Sequence, residues 1–118
     1  MRELEQPTRG QLCLTEILHA LSDPTRLAVV AQLDAAGELS CGCLAVRVAK
    51  STLSQHLRVL RHAGITNTRC VGNLRMLSVR RAELDALFPG LLDAVLAARG
   101  DWGSPGTSSP DYSQQPTR

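Results

Sequence analysis

The stretch KSTLSQHLRVLRHAG, residues 50–64, constrains the fold more than any other part of the chain. Its apolar residues recur three or four positions apart, which is the spacing of one face of an α-helix. These residues are Leu53, Leu57, Leu60 and Ala63. Gly64 follows them and is able to adopt the left-handed conformation that often ends a helix. The pattern therefore predicts an amphipathic helix over residues 50–63.

The opposite face of this predicted helix carries hydroxyls, an amide, an imidazole and cations. Its residues are Ser51, Thr52, Ser54, Gln55, Arg58, Arg61 and His62. A helix is about 10–12 Å across and fits the major groove of DNA, where such side chains match the exposed edges of the bases. The face is typical of a helix that reads duplex DNA.

Charge is unevenly distributed along the chain. The formal net charge is only +2, but residues 50–81 hold seven of the thirteen Lys and Arg residues and no Asp or Glu. The seven are Lys50, Arg58, Arg61, Arg69, Arg75, Arg80 and Arg81. A solvated basic surface would also produce such a run. The complete exclusion of acids favours contact with the phosphates of a nucleic acid.

Two short runs of strand-forming character, ITNTRCV and LRMLSV, follow the predicted helix. Gly72 and Asn73 separate them and suit the positive φ of a tight hairpin turn. Arg69 and Arg75 flank this turn. A helix followed by a basic hairpin is the layout of a winged helix-turn-helix, in which the helix enters the major groove and the wing reaches the neighbouring backbone or minor groove.

The length of 118 residues allows one core, and with a single Trp, Tyr and Phe that core must be built from aliphatic residues. We therefore predict a mostly α fold with a small β-hairpin wing. A flexible arm is expected over residues 1–10, one domain over 11–99, and a disordered Gly-, Pro- and Ser-rich tail over 100–118. No apolar run approaches 18 residues and the N-terminus lacks a signal-peptide core, so we expect a cytoplasmic protein with no membrane contact.

The remaining helices are predicted from periodicity and punctuation. A first helix is expected over 11–21, and a second over 24–35 with Ser22 or Asp23 as its cap. Pro89 divides the C-terminal apolar stretch into helices over 81–87 and 89–98. This stretch and the first helix are expected to form the two-fold interface of a homodimer, although packing within one chain would use the same residues. The predicted interface residues are Leu14, Leu18, Leu91, Leu92, Val95 and Leu96.

Three segments together resemble the ArsR/SmtB family of bacterial winged helix-turn-helix transcriptional regulators. They are LSDPTRLAVVAQL, STLSQHLRVLRHAGI and the hairpin with Gly and Arg at its turn, and the likeness covers roughly residues 14–98. The resemblance implies a homodimer that binds an imperfect palindrome in double-stranded DNA and represses a nearby operon until an inducer binds. It implies a structural role for His56. The DNA contacts expected are Lys50, Ser51, Thr52, Ser54, Gln55, Arg58, Arg61, Arg69 and Arg75.

Cys41 and Cys43 lie two residues apart, close enough to hold one soft ion. In the resembled family such a pair, with a cysteine from the N-terminal segment, forms a thiolate site for arsenite, cadmium, lead or zinc. Here the third ligand is expected to be Cys13, with Cys70 less favoured. The likeness is incomplete, because only LAVRVA separates Cys43 from Lys50. The segment before the recognition helix is therefore expected to be shortened or irregular.

Other functions remain open at the level of sequence. The same thiols would serve oxidation sensing, or the cysteines are structural and no metal is bound; nickel is the least supported metal. The family's second metal site is not met, because residues 80–99 contain no histidine. A winged helix controlled by a protein partner, recruited by the C-terminal tail, is a further alternative. No catalytic motif is present, so we expect no enzyme activity.

Overall fold

The structure, a computed structural model, describes residues 6–100. Within these residues, five α-helices and three β-strands follow one another in the order α1, α2, β1, α3, β2, β3, α4, α5. Their bounds are α1 Leu14–Leu21, α2 Pro24–Ala36, β1 Leu39–Ser40, α3 Lys50–Ala63, β2 Thr66–Val71, β3 Leu74–Val79, α4 Arg81–Leu87 and α5 Leu91–Gly100. Short 3-10 helices cover Arg9–Gln11 and Cys41–Cys43. The predicted mostly α fold with a hairpin wing is confirmed.

Helix α2 is defined at both ends by its own sequence. The Asp23 carboxylate caps its start by accepting hydrogen bonds from the backbone N–H groups of Thr25, at 2.8 Å, and Arg26, at 3.0 Å. Pro24 occupies the first helical position, where its missing N–H costs nothing. Gly37 ends the helix with a φ of 90°, which favours glycine. Of the two predicted caps, Asp23 is therefore the one used.

The wing is the outer part of a three-stranded antiparallel sheet in the order β1-β3-β2. Strands β2 and β3 form the predicted hairpin, with Val71 opposite Leu74 beside the turn. Gly72 has a φ of 62°, whereas Asn73 does not have positive φ, so only one of the two turn residues behaves as predicted. Strand β1 was not predicted, because two residues are too few to show alternation.

The core lies between α1, α2, α3, the sheet and the two C-terminal helices. Its buried apolar residues are Ile17, Ala20, Leu21, Leu27, Val29, Val30, Leu33, Leu60, Ala63, Ile65, Leu77, Leu84 and Leu92. Gly64 ends α3 with a φ of 86°, and a Cβ there would collide with the side chain of Leu12. The turn after α3 therefore needs glycine both for its conformation and for the close packing of the N-terminal segment.

Two predicted helix starts are wrong. Helix α1 begins at Leu14 rather than residue 11, and α5 begins at Leu91 rather than residue 89. Pro89 lies in the turn before α5, where Gly90 reverses the chain with a φ of 82°. Gly100, the first residue of the predicted tail, is the last residue of α5.

The two ends of the chain are only partly described. Residues 6–10, assigned from sequence to a flexible arm, contact the domain: the Gln6 side chain accepts a hydrogen bond from the Thr68 N–H, and the Pro7 carbonyl accepts one from Arg80. The rest of the predicted arm, and the tail from residue 101 onward, lie outside the described residues. Among residues 6–100, no helix has the length and apolar character needed to cross a membrane.

Candidate nucleic-acid interface

Helix α3 presents one face to the core and the other to solvent. Leu60 and Ala63 are buried on the inner face, and Leu53 and Leu57 pack beside them. Six residues predicted to contact DNA are exposed on the outer face. They are Lys50, Ser51, Thr52, Ser54, Gln55 and Arg58. Arg61 is half-buried near the end of the helix. The structure thus brings the predicted reading residues of α3 onto one accessible surface.

His56 fixes the orientation of α3 against the corner between α1 and α2. Its Nδ1 lies 3.2 Å from Nη1 of Arg26, and its Nε2 lies 3.8 Å from the Asp23 carboxylate. A guanidinium only donates hydrogen bonds, so Nδ1 is the acceptor in this contact. The Arg26 Nε also donates to the Ala20 carbonyl at 2.7 Å. His56 therefore holds the reading helix in place, as its predicted structural role requires.

Five of the seven cations of residues 50–81 divide into two groups. Among residues 6–100, Lys50, Arg58 and Arg75 form no ion pair with a carboxylate. Arg80 is paired with Glu83 at 2.7 Å, and Arg81 contacts three carboxylates, those of Asp34, Asp85 and Asp93. The first group is available to phosphates. The second group joins helices within the protein.

Arg69 is exposed on the wing but, unlike the first group, is paired with a carboxylate. Its Nη2 and Nε donate to the two carboxylate oxygens of Glu38 at 2.8 and 3.2 Å. The hydrogen bond from Arg69 lowers the pKa of the Glu38 carboxyl below its ordinary value. Glu38 precedes the acid-free residues 50–81 in sequence, but the fold places its carboxylate against Arg69 on the wing. An acid therefore contacts one of the predicted DNA-binding residues, although residues 50–81 themselves contain none.

Sequence reasoning left out an exposed cation that comes shortly before α3 in the chain. Arg47 lies in a bend three residues before α3 begins, is exposed, and forms no ion pair among residues 6–100. It falls just outside the acid-free stretch that was used to define the basic surface. Its position directly before a helix with DNA-reading character is the signal that could have identified it.

The segment before α3 is irregular, as expected. Residues 44–49 contain no helix or strand, and the Gln32 side chain of α2 pairs with the backbone of Ala45. Nε2 of Gln32 donates to the Ala45 carbonyl at 2.9 Å, and the Ala45 N–H donates to Oε1 at 2.8 Å. One amide thus supplies the fixed backbone pairing that a regular element would otherwise provide.

Known proteins share this arrangement. Residues 21–69 match a protein family described as a helix-turn-helix domain. The uncharacterized HTH-type transcriptional regulator YceK of Bacillus subtilis strain 168 is 37% identical over 98 residues, which is 80% of this chain and 93% of that protein. The crystal structure of the transcriptional repressor BigR from Xylella fastidiosa is 32% identical with a TM-score of 0.58, over 72% of this chain and 84% of that chain.

A solved ArsR family transcriptional regulator is 28% identical with a TM-score of 0.57, over 75% of this chain and 92% of that chain. This chain belongs to the ArsR/SmtB family. The protein is therefore a transcriptional regulator with a DNA-binding winged helix-turn-helix domain, and it is not an enzyme.

The cysteines of this ArsR/SmtB regulator are dispersed. Among residues 6–100, no three His, Cys, Asp or Glu side chains are grouped closely enough to hold a metal ion. Cys41 and Cys43 stand in a 3-10 turn, in which side chains two positions apart diverge by about 120°. Cys41 packs against the core, whereas Cys43 is exposed and its Sγ accepts a hydrogen bond from Ser40. The expected set of Cys41, Cys43 and Cys13 is not assembled within one chain.

Cys13 differs from the other thiols in its electrostatic environment. It is exposed at the start of α1, and its thiol lies 3.3 Å from the Thr15 hydroxyl. The hydrogen bond with Thr15, helped by the backbone N–H groups of Glu16 and Thr15, lowers the pKa of the Cys13 thiol from its ordinary value. The thiolate is therefore favoured more at Cys13 than at an isolated cysteine.

The apolar surface predicted for dimerisation of the ArsR/SmtB regulator is partly exposed. Leu14 and Leu18 on α1 are 43% and 44% exposed, and Leu87 at the end of α4 is 38% exposed. Leu91, Val95 and Leu96 are half-buried against the core, whereas Leu92 is buried within its own chain. Leu92 therefore fits the alternative of an intrachain core position, and the other predicted residues retain surface that a partner is able to cover.

Proposed function

We propose that two copies of this regulator bind a palindromic operator, with the α3 helix of each copy in one of two successive major grooves, and repress transcription there. The outer face of α3 carries this proposal. Its exposed hydroxyl, amide and guanidinium groups suit the edges of base pairs, while its inner face packs against the core and His56 contacts Arg26 of α2.

Phosphate contacts would fix the position of each α3 on the duplex. Arg47 lies three residues before α3, Lys50 begins the helix, Arg58 lies along its outer face, and Arg75 lies on the wing. These cations have no carboxylate partner among residues 6–100, so binding DNA requires no ion pair of theirs to be broken. Neutralising phosphates releases counterions, which favours binding at low salt.

Dimerisation would bring two reading helices to one operator. A two-fold interface uses the same surface on both copies, and the exposed leucines of α1 supply such a self-complementary surface. Leu18→Glu should therefore give a monomer at micromolar concentration in sedimentation velocity, whereas the wild-type chain should sediment as a dimer. A wild-type monomer would contradict this part of the proposal.

DNA binding is tested with a duplex taken from the region upstream of the regulator's own gene. Fluorescence anisotropy between about 50 and 200 mM salt should show affinity falling steeply, because several phosphates are neutralised. An in vitro transcription assay on the same promoter should show less transcript with protein than without it. Binding with no salt dependence would contradict phosphate recognition, and an increased transcript would contradict repression.

We further propose that the effector acts on thiols, with Cys13 as the first to react. Its exposure and lowered pKa support a reactive thiolate and hence oxidation sensing. A metal or metalloid site at Cys41 and Cys43 needs at least one ligand from a second copy or a rearranged chain, since one chain groups no three ligands among residues 6–100.

The two effector hypotheses predict different outcomes for the same variants. Native mass spectrometry with arsenite, Cd²⁺, Pb²⁺, Zn²⁺ or Ni²⁺ should reveal a stoichiometric adduct only if a thiolate site assembles, and the C41S/C43S variant should lose it. Oxidation sensing predicts that hydrogen peroxide weakens DNA binding in the wild type but not in Cys13→Ser. A Cys13→Ser protein that responds to peroxide like the wild type would contradict the Cys13 hypothesis.

A further inference from the structure

The contact between Glu38 and Arg69 has the geometry of phosphate recognition. Two guanidinium nitrogens face two carboxylate oxygens, at 2.8 and 3.2 Å. Arginine uses the same fork of donors to hold a phosphate group. Glu38 therefore occupies the donors that Arg69 would offer to the DNA backbone.

The register of the sheet explains how an acid reaches this arginine. Arg69 on β2 pairs with Met76 on β3, and Met76 in turn pairs with Ser40 on β1. The Glu38 carboxylate, two residues before Ser40, is reached across β3 by the Arg69 side chain on the same face of the sheet. The two residues are 31 positions apart in sequence and meet only because β1 joins the wing.

The pair is accessible and easily exchanged. The Arg69 side chain is 60% exposed and that of Glu38 is 34% exposed. Solvent-exposed ion pairs are weak, so a phosphate of comparable geometry competes with the carboxylate on nearly equal terms. Arg75, the other cation near the wing tip, has no such competitor among residues 6–100.

We propose that Glu38 is an affinity-setting residue that competes with a DNA phosphate for Arg69 and so limits how tightly the wing binds. The inference rests on the proposed function, because it requires the wing to meet DNA. When the wing reaches the backbone, Arg69 leaves the carboxylate of Glu38 for a phosphate, and the broken pair reduces the net gain. Glu38 thereby reduces the sequence-independent binding of the basic wing to duplex DNA.

The test is a double-mutant cycle on the full chain. The variants E38Q, R69Q and E38Q/R69Q are titrated against the upstream duplex by fluorescence anisotropy at several salt concentrations. E38Q should bind about two- to fivefold more tightly than the wild type, the range expected for an exposed ion pair. R69Q should bind more weakly, and its plot of log affinity against log salt should be shallower by about 0.9, the value for one phosphate.

The double variant separates competition from a general effect of charge. If Glu38 acts through Arg69, E38Q should lose its tightening in the R69Q background. Equal tightening in both backgrounds would show that removing any nearby negative charge suffices, and would overturn the inference. Glu16→Gln is the matched control, because Glu16 is exposed on α1, forms no ion pair among residues 6–100, and changes the net charge by the same amount.

Failure of the inference is distinguishable from failure of the proposed function. A wild-type protein that does not bind the duplex overturns both. A wild-type protein that binds with steep salt dependence, while E38Q and R69Q bind exactly as it does, overturns only the role of Glu38. Thermal unfolding of each variant should match the wild type closely, because both side chains are accessible to solvent.

Discussion

Arg58 and Arg80 lie 22 residues apart in the same basic stretch, and the fold uses them in opposite ways. Arg58 is exposed on the outer face of α3 and has no carboxylate partner among residues 6–100. The Arg80 side chain is only 9% exposed and binds Glu83 and the Pro7 carbonyl, both at 2.7 Å. A run of cations in a sequence therefore combines residues that contact a partner with residues that hold the domain together.

The largest effect that tests this contrast is expected from Arg80→Gln. The shorter, uncharged side chain leaves Glu83 and the Pro7 carbonyl without their donor in a largely buried position. The free energy of unfolding should fall by about 2–3 kcal/mol, because hydrogen bonds to charged groups are lost together with an ion pair. Chemical denaturation measures this change. A loss below about 0.5 kcal/mol would place Arg80 with the surface cations.

Arg58→Gln should produce the reverse pattern. Unfolding should be unchanged within about 0.5 kcal/mol, since the side chain is exposed and forms no ion pair among residues 6–100. Affinity for the operator duplex should fall about tenfold, with a shallower salt dependence if the lost contact is to a phosphate. Arg99→Gln on α5 is the control for a charge change away from α3. Equal losses of affinity in both variants would mean that net charge, not the α3 surface, controls binding.

For a physical reason, the sequence alone does not predict which arginines are paired with distant carboxylates. Helix α3, its glycine end, the cap of α2 and the hairpin depend on neighbours within a few residues, and these were predicted. The pairing of Arg69 with Glu38 and that of Arg81 with Asp34 depend on contacts between residues 31 and 47 positions apart. Such contacts exist only after β1 and the C-terminal helices have packed. The different environments of Cys41, which packs against the core, and Cys43, which is exposed, are likewise set by the 3-10 turn. The CGC motif does not reveal this turn.

Arg47 tests whether the reading surface extends before α3. It was absent from the predicted DNA contacts, but it is exposed directly before the helix and has no carboxylate partner among the residues described. Arg47→Gln should weaken duplex binding about threefold without changing stability, as expected for one peripheral phosphate contact. The measurement is the same anisotropy titration. An unchanged affinity and salt slope would limit the surface to α3 and the wing.

The smallest expected effect is on how the stability of the fold depends on acid pH. It distinguishes Arg80, which is paired with a carboxylate, from Arg58, which has no carboxylate partner among residues 6–100. The hydrogen bond from Arg80 is the main cause that lowers the pKa of the Glu83 carboxyl below its ordinary value of 4.5. A carboxyl whose pKa is lower in the folded than in the unfolded chain stabilises the fold above the unfolded value, and this contribution is lost as pH falls through the folded value. Wild-type stability should therefore decline below about pH 4.5, and Glu83→Gln should show a lower plateau at neutral pH with a shallower decline.

Arg58→Gln should follow the wild-type curve throughout, because no carboxylate among the described residues depends on that guanidinium. Thermal unfolding between pH 3 and 7 measures all three curves, and a Glu83→Gln curve parallel to the wild type would remove the distinction between the two arginines at this site.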